Sequence, residues 1–321
     1  MSKWVEIRKG ADFQKIGQQF HITPLAARLI RNREIQGEAR IRKYLHGTVK
    51  DLYPASSMKG MQDAARILTE KIRQGKRIRI IGDYDIDGVC ASYILLKGLT
   101  ALKANVDTDI PDRVKDGYGL NQELVDRASR DGIDTILTCD NGIAAVNEIA
   151  YAKEKGMTVL VTDHHEIQQE IPPADVVIDP RQEDCPYPFK KLCGAAVAWK
   201  LTGELWKEFP YRDDDLYREL MMFAAFATVG DVMDLVDENR ILVREGLKLL
   251  RETAHPGMSA LIEVNELPRE RLSAFHIGFV LGPCINASGR LDTAKRALEL
   301  LDIQDYELAL RRAKELKDLN D

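Results

Sequence analysis

The sequence predicts an α/β protein: a parallel β-sheet with helices on both faces, followed by a mainly helical region. Three observations lead there. From Arg77 to Ile178, short β-rich runs alternate with stretches whose apolar residues recur at helical spacing. The acidic and histidine clusters fall just after the β-rich runs, not within them. Beyond the loop 179–189 (DPRQEDCPYPF), the apolar spacing is mainly helical.

Taken in order, the residues before about 60 read as helical and polar, and Thr23-Pro24-Leu25 has the form of a helix start. Met61 to Gln74 is an amphipathic helix (Ala64, Ile67, Leu68, Ile72) stopped by Gly75. Strands are expected at Ile78–Ile81, Val106–Ile110, Thr135–Cys139, Thr158–Thr162 and Val176–Ile178. Helices are expected between them at Val89–Leu102, Asn121–Arg130 and Ala144–Lys155, with Gly132 and Gly156 where left-handed caps are wanted. After Pro172-Pro173, helices are expected over Ala195–Phe209, Asp214–Val229 and Arg240–Arg251. Gly282-Pro283 and Gly289 predict a loop. The last helix, Tyr306 to Leu319, runs to Asp321 without a cap and is expected to lead into a further domain.

Composition narrows the classes. No apolar run approaches the ~20 residues of a membrane span, and MSKWVEIRKG has no signal-peptide core. A cytoplasmic location is expected, with no membrane partner. The five cysteines form no CxxC pair, which argues against a disulfide framework or a zinc ribbon. The net charge of −5 does not announce a nucleic-acid protein, but two divalent cations would bring it to about −1. The basic run Lys71, Arg73, Lys76, Arg77 and Arg79 reads either as a solvated helix end or as an edge that follows phosphates.

Asp83, Asp85 and Asp87 follow the first strand, Pro111-Asp112-Arg113 the second, Asp140-Asn141-Gly142 the third and Asp163-His164-His165 the fourth. The carboxyl ends of an open parallel sheet form its ligand crevice. Three carboxylates at alternate positions repel one another unless a cation sits among them. A solvated acidic turn explains one such cluster; four strands delivering Asp, Arg, Asp and His-His to one edge favour a metal centre. Carboxylates with imidazoles suit Mn²⁺ and, less selectively, Mg²⁺, and a bridging aspartate holds two ions ~3.5–4 Å apart. Asp163 is a candidate for supporting a histidine ligand. Asp231, after an apolar helix, is either a helix cap or a further ligand. Arg113 and Arg290 would neutralise phosphate oxygens, and Asn286 and Ser288 offer further hydrogen bonds. The expected reaction is metal-assisted hydrolysis of a phosphoester.

The motifs GDYDIDG (82–88), IPDR (110–113) with DGYGL (116–120), TCDNG (138–142), TDHHE (162–166), ATVGDVMDL (227–235) and GPCINASGRLDTA (282–294) occur in series. Together they resemble the DHH phosphoesterase superfamily, and within it the RecJ-type single-strand-specific exonucleases, over about Arg77 to Leu301. The resemblance implies a DHH fold and a 5′→3′ exonuclease on single-stranded DNA. Such an enzyme releases 5′-mononucleotides with two Mn²⁺ or Mg²⁺ ions, in recombination and repair. By motif, Asp85 and Asp87 match metal ligands with Asp83 beside them, Asp140 the bridging ligand, His164 the histidine ligand and Asp231 the last ligand. His165 matches a residue that lies next to the phosphate or supports the site, and Arg113 and Arg290 match phosphate contacts. Tyr118 could stack on a base or pack within its turn. The family's Gly-Gly-His motif of a second domain does not occur here.

The implied division is a helical extension (1–60), a catalytic α/β domain (61–235) and a helical region leading toward an absent C-terminal domain (236–321). Repair or replication proteins are expected partners for the first helices. Three alternatives stand beside this reading. Asp85-Ile86-Asp87-Gly88-Val89 also resembles a haloacid-dehalogenase-like nucleophile motif. A nanoRNase or cyclic-dinucleotide phosphodiesterase lies in the same superfamily, and a non-catalytic replication scaffold would bind no metal tightly.

Overall fold

The computed structural model describes residues 9–111, 119–168, 170–210, 213–291 and 293–321. Helices α1 (Phe13–Phe20), α2 (Pro24–Asn32) and α3 (Glu38–His46) precede the sheet, and the Thr23 hydroxyl caps α2 by accepting the Ala26 N–H. Then come α4 (Met61–Arg73), β1 (Arg77–Gly82), α5 (Ile86–Ala101), β2 (Asn105–Asp109), α6 (Gln122–Arg130), β3 (Thr135–Cys139), α7 (Val146–Glu154), β4 (Thr158–Thr162) and β5 (Val176–Ile178). The chain continues through α8 (Gly194–Trp206), α9 (Asp214–Gly230), α10 (Asp237–Glu252), α11 (Pro256–Val264) and α12 (Ala274–His276). A π-helical turn (Ile277–Leu281) leads into α13 (Gly282–Leu291), α14 (Lys295–Asp302) and α15 (Tyr306–Asn320). Among the described residues no helix is long and apolar enough to cross a membrane.

The sheet is wholly parallel, in the order β2-β1-β3-β4-β5. The expected strands appear within a residue of their expected bounds. Alternation along each strand fills two layers. Ile78, Ile80, Leu137, Cys139 and Leu160 join the core beneath α4, α5 and α8. Ile81, Ile136, Val159 and Val161 face Leu124, Ala128 and Ile149 of α6 and α7. Because β2 lies on one side of β1 and β3 on the other, the connections diverge there. That switch point opens a crevice at the carboxyl ends of β1 and β3.

Two expectations are corrected. The basic run lies at the opposite end of the sheet, and Lys71, Lys76, Arg77 and Arg79 are paired with carboxylates there. Arg79 binds Asp107 through two nitrogens and Asp131 through a third, Lys71 and Lys76 meet Asp134, and Arg77 meets Asp107. It does not border the crevice, so of its two readings the phosphate-following edge is the one corrected, and the helix end stands. The loop expected at Gly282–Gly289 is helical. Proline removes a donor and crowds the carbonyl four residues back; the turn before Pro283 widens accordingly, with the Gly282 N–H reaching Ile277 O five residues away. Gly289 is small because a Cβ there would stand 2.2 Å from Tyr84 O. These glycines mark close packing between helix and loop.

Candidate metal centre

Each strand end delivers its side chains by local hydrogen bonding. Past β1, the chain turns at Asp83 into α5. Asp85 caps that helix, its Oδ1 accepting the N–H groups of Asp87 (2.8 Å) and Gly88 (3.1 Å). The Ile86 N–H donates to Asn286 Oδ1 at 2.7 Å, which ties α13 to the start of α5. A Cβ on Gly88 would stand 2.4 Å from Asp83 O, so glycine permits the tight turn. Asp87 accepts the Gly194 and Ala195 N–H groups at 2.6 and 2.8 Å. These are orphan donors at the amino end of α8, where a carboxylate is favoured.

Asp140 leaves β3 with φ of 60°, a left-handed conformation that aspartate tolerates better than most residues. The Asn141 amide donates to Ile81 O and Cys139 O and so fastens the β3 turn to β1. His164 leaves β4. Asp231 follows α9, so it sits at a helix C-terminus and is no N-cap. The next residue, Val232, closes the helix at φ 57° while 88% exposed. Its N–H reaches Val229 O (3.1 Å), and the Met233 N–H reaches Thr228 O (3.1 Å).

These elements bring seven of the expected residues together. His164 Nε2 lies 3.0 Å from Asp140, 3.5 Å from Asp87 and 3.7 Å from Asp231. Ligand atoms of Asp83, Asp85 and Asp140 lie within 4.8 Å of one another, as do those of Asp87, His164 and Asp231, and those of Asp140, His164 and His165. Asp140 and His164 each belong to two of these triads, so the pair links them all. Neither buried ring nitrogen of His164 finds a hydrogen bond of good geometry among the described residues, and neither does Asp83 Oδ1. Burial, then the Asp85 charge, pushes the Asp83 carboxyl up to about 7. Burial with the charges of Asp87 and Asp85 pushes Asp231 up to about 7 and Asp140 well above the usual range. Asp85 is raised by burial and by Asp87. Burial lowers His164, keeping its imidazole neutral, as a metal ligand requires. Clustered carboxylates, a neutral imidazole and buried polar atoms aimed at a common space fit a pair of hard divalent cations.

Asp163 serves His165. Its Oδ1 is 2.7 Å from His165 Nδ1 and accepts the His164 N–H, while Oδ2 accepts the Ile143 N–H. That contact pushes His165 up to about 9, leaving a cationic ring at the edge of the centre. Burial opposes ionisation of Asp163, yet His165 and these N–H groups hold it below its ordinary value. His164 gains no such support on Nδ1. Asn286 is on α13 and engaged with Ile86. Ser288 is fully buried and donates to Ile285 O, so its hydroxyl turns into its own helix. Arg290 follows Gly289 on the same helix, whereas Arg113 and Tyr118 lie outside the described residues. Sequence reasoning passed over Asp179, which leaves β5 toward the same edge. It is buried and pushed up to about 7, by burial first and then by Asp163. The signal was present: the rule that located the other clusters also covers the residue after the fifth strand.

The description "DHH family, N-terminal domain" matches residues 77–228. The single-stranded-DNA-specific exonuclease RecJ of Bacillus subtilis is 39% identical over 319 residues, covering 99% of this chain and 40% of that protein. A solved structure of RecJ in complex with Mn²⁺ from Thermus thermophilus has a TM-score of 0.81 at 33% identity, covering 96% of this chain and 43% of that one. A structure of exonuclease RecJ bound to manganese has a TM-score of 0.75 at 37% identity, covering 82% and 66%. This chain thus spans less than half the length of the B. subtilis and T. thermophilus proteins. The match leaves the haloacid-dehalogenase-like reading of Asp85–Val89 without support. By its domain match, its likeness to RecJ along nearly its whole length and its shared fold, the chain belongs to the DHH family.

Proposed function

We propose that this chain is the catalytic core of a metal-dependent 5′→3′ exonuclease that hydrolyses single-stranded DNA to 5′-mononucleotides in the cytoplasm, in recombination and repair. The observation that carries the reading is the His164 ring set 3.0–3.7 Å from three carboxylates drawn from separate elements. RecJ structures with Mn²⁺ and Mg²⁺ support the choice of ion.

Asp83, Asp85, Asp87, Asp140, His164 and Asp231 would hold two Mn²⁺ or Mg²⁺ ions. Such a pair supplies a hydroxide nucleophile at neutral pH and charge neutralisation at phosphorus. The chain's own groups do the rest. The α8 amino end holds Asp87 in place through two N–H groups. Asp163 keeps His165 protonated at neutral pH, so that it can donate to a phosphate oxygen. Arg113 and Arg290 are the proposed phosphate-binding arginines, and Tyr118 a base contact. Leu25 and Leu29, one turn apart and exposed on α2, offer a docking face to a repair or replication protein.

The test is nucleotide release from 5′- and 3′-labelled single strands with Mn²⁺, with Mg²⁺ and with chelator, for wild type and Asp140→Asn. Asparagine tolerates the left-handed backbone at 140, so this variant alters charge and not shape. Early release from the 5′ label is expected, lost with chelator and reduced about 10²–10³-fold in the variant. Cleavage that survives chelation would defeat the reading. A chain that binds no metal would favour the scaffold alternative.

A further inference from the structure

We propose that Phe275 and Phe279 form a platform on which unpaired bases stack beside the metal centre, and that a glycine-lined cleft is the strand's path between the two. The inference rests on the nuclease reading above and specifies how the substrate is held. Phe275 and Phe279 are 61% and 74% exposed. Their ring centroids lie 5.0 Å apart with planes inclined by 28°. Two rings held nearly parallel in water present a flat apolar face, and every nucleobase has a matching π-face.

Their position ties them to the centre. Phe279 lies in the π-helical turn, a rare geometry that recurs at functional sites. That turn packs on α9, whose end leads directly into Asp231: a Cβ on Gly278 would stand 3.8 Å from Val229 Cγ1. About one position round the helix from the two rings runs a row of Gly278, Gly282 and Asn286. With Gly230, these residues line a cavity of about 390 Å³. Gly230 immediately precedes Asp231, and Asn286 holds the first turn of α5, so the cleft opens beside the carboxylates. Where the glycines carry no side chain, an extended sugar–phosphate chain can approach the backbone closely. In a duplex the base faces are already stacked on neighbouring pairs. The platform therefore selects single strands.

The experiment measures steady-state cleavage of an oligonucleotide with Mn²⁺ by Phe275→Ala, Phe279→Ala, the double variant, Phe279→Trp and Gly278→Leu. A parallel substrate series carries one abasic nucleotide at successive positions. Each alanine is expected to raise KM about tenfold with kcat unchanged, and tryptophan to restore it. The alanine penalty should vanish when the abasic position is the one that meets the platform. A Cβ at Gly278 meets only ordinary van der Waals contact, so leucine there fills the cleft and raises KM without lowering Tm. An unchanged KM in the double variant overturns the platform and points to a protein-docking role for the two rings. So does an alanine penalty that persists on every abasic strand. If wild type cuts while the variants behave like it, the platform alone fails. If wild type neither cuts nor binds the strand, the nuclease reading fails with it.

Discussion

Asp140 and Val232 share a left-handed backbone conformation, but for different reasons. At Asp140 the side chain tolerates the geometry, and the turn aims its carboxylate between two groups of ligands. At Val232 nothing in the side chain favours it; among the described residues it is the one β-branched residue with positive φ. Glycine is the usual choice where a helix ends in this way. Val232→Gly is expected to stabilise the metal-free chain by about 1 kcal/mol. Thermal denaturation checks this, and an unchanged or lower Tm would show that the backbone is not strained there.

At the scale of elements, the centre depends on contacts between distant helices and loops. α5 begins with its Ile86 N–H on Asn286 Oδ1, and α13 presses Gly289 against Tyr84. Asn286→Ala would leave a part-buried N–H without its acceptor, at a cost of about 1–3 kcal/mol. Since Asp85 and Asp87 flank that N–H, Mn²⁺ affinity should fall as well, although Asn286 is no ligand in this scheme. Calorimetric titration with Mn²⁺ measures it, and an unchanged affinity would mean that the acidic turn holds its shape unaided. The sheet elements were legible because short β-rich runs alternating with stretches of helical spacing have few other solutions. α13 was not. Gly282, Pro283 and Gly289 carry the local signature of a loop, and they form a helix because close packing against the Tyr84 turn and a widened π turn at Pro283 override that preference. The identities of the clustered acids and histidines were readable from their place after each strand. Which partner each would take was not: Asp163 could equally have supported His164, and Asp87's bond to α8 joins residues more than a hundred positions apart.

For the whole molecule, charge clustering sets the response to pH. Asp83, Asp179 and Asp231 are pushed up to about 7 by burial and neighbouring carboxylates. A raised carboxyl binds its proton more tightly in the folded state, so each favours folding at low pH and loses that advantage as pH rises toward 7. His165, raised to about 9, adds stability below 6.5 that is lost between 6.5 and 9. His255 acts the other way. Buried and bonded to Tyr93 and the Met258 N–H, it is pushed down to about 4, so folding loses support as pH falls from 6.5 to 4. Three raised carboxyls outweigh one lowered imidazole between pH 4 and 6.5, so the metal-free chain should be most stable near pH 4 and weaken toward pH 9. Mn²⁺ should raise Tm more at pH 8 than at pH 6, because protons compete for the same oxygens. A metal-free Tm that climbs from pH 6 to 8 would contradict the clustering.

The bond between Ile86 and Asn286 has a consequence in time. It joins residues 200 positions apart. At about 5–20 residues per second, synthesis takes roughly 10–40 s to travel from one to the other. Throughout that interval the acidic turn exists without the helix that fastens it, so the emerging chain carries most of its ligands before it can shape them into a centre. Assembly of the centre is thereby deferred until α13 has been made.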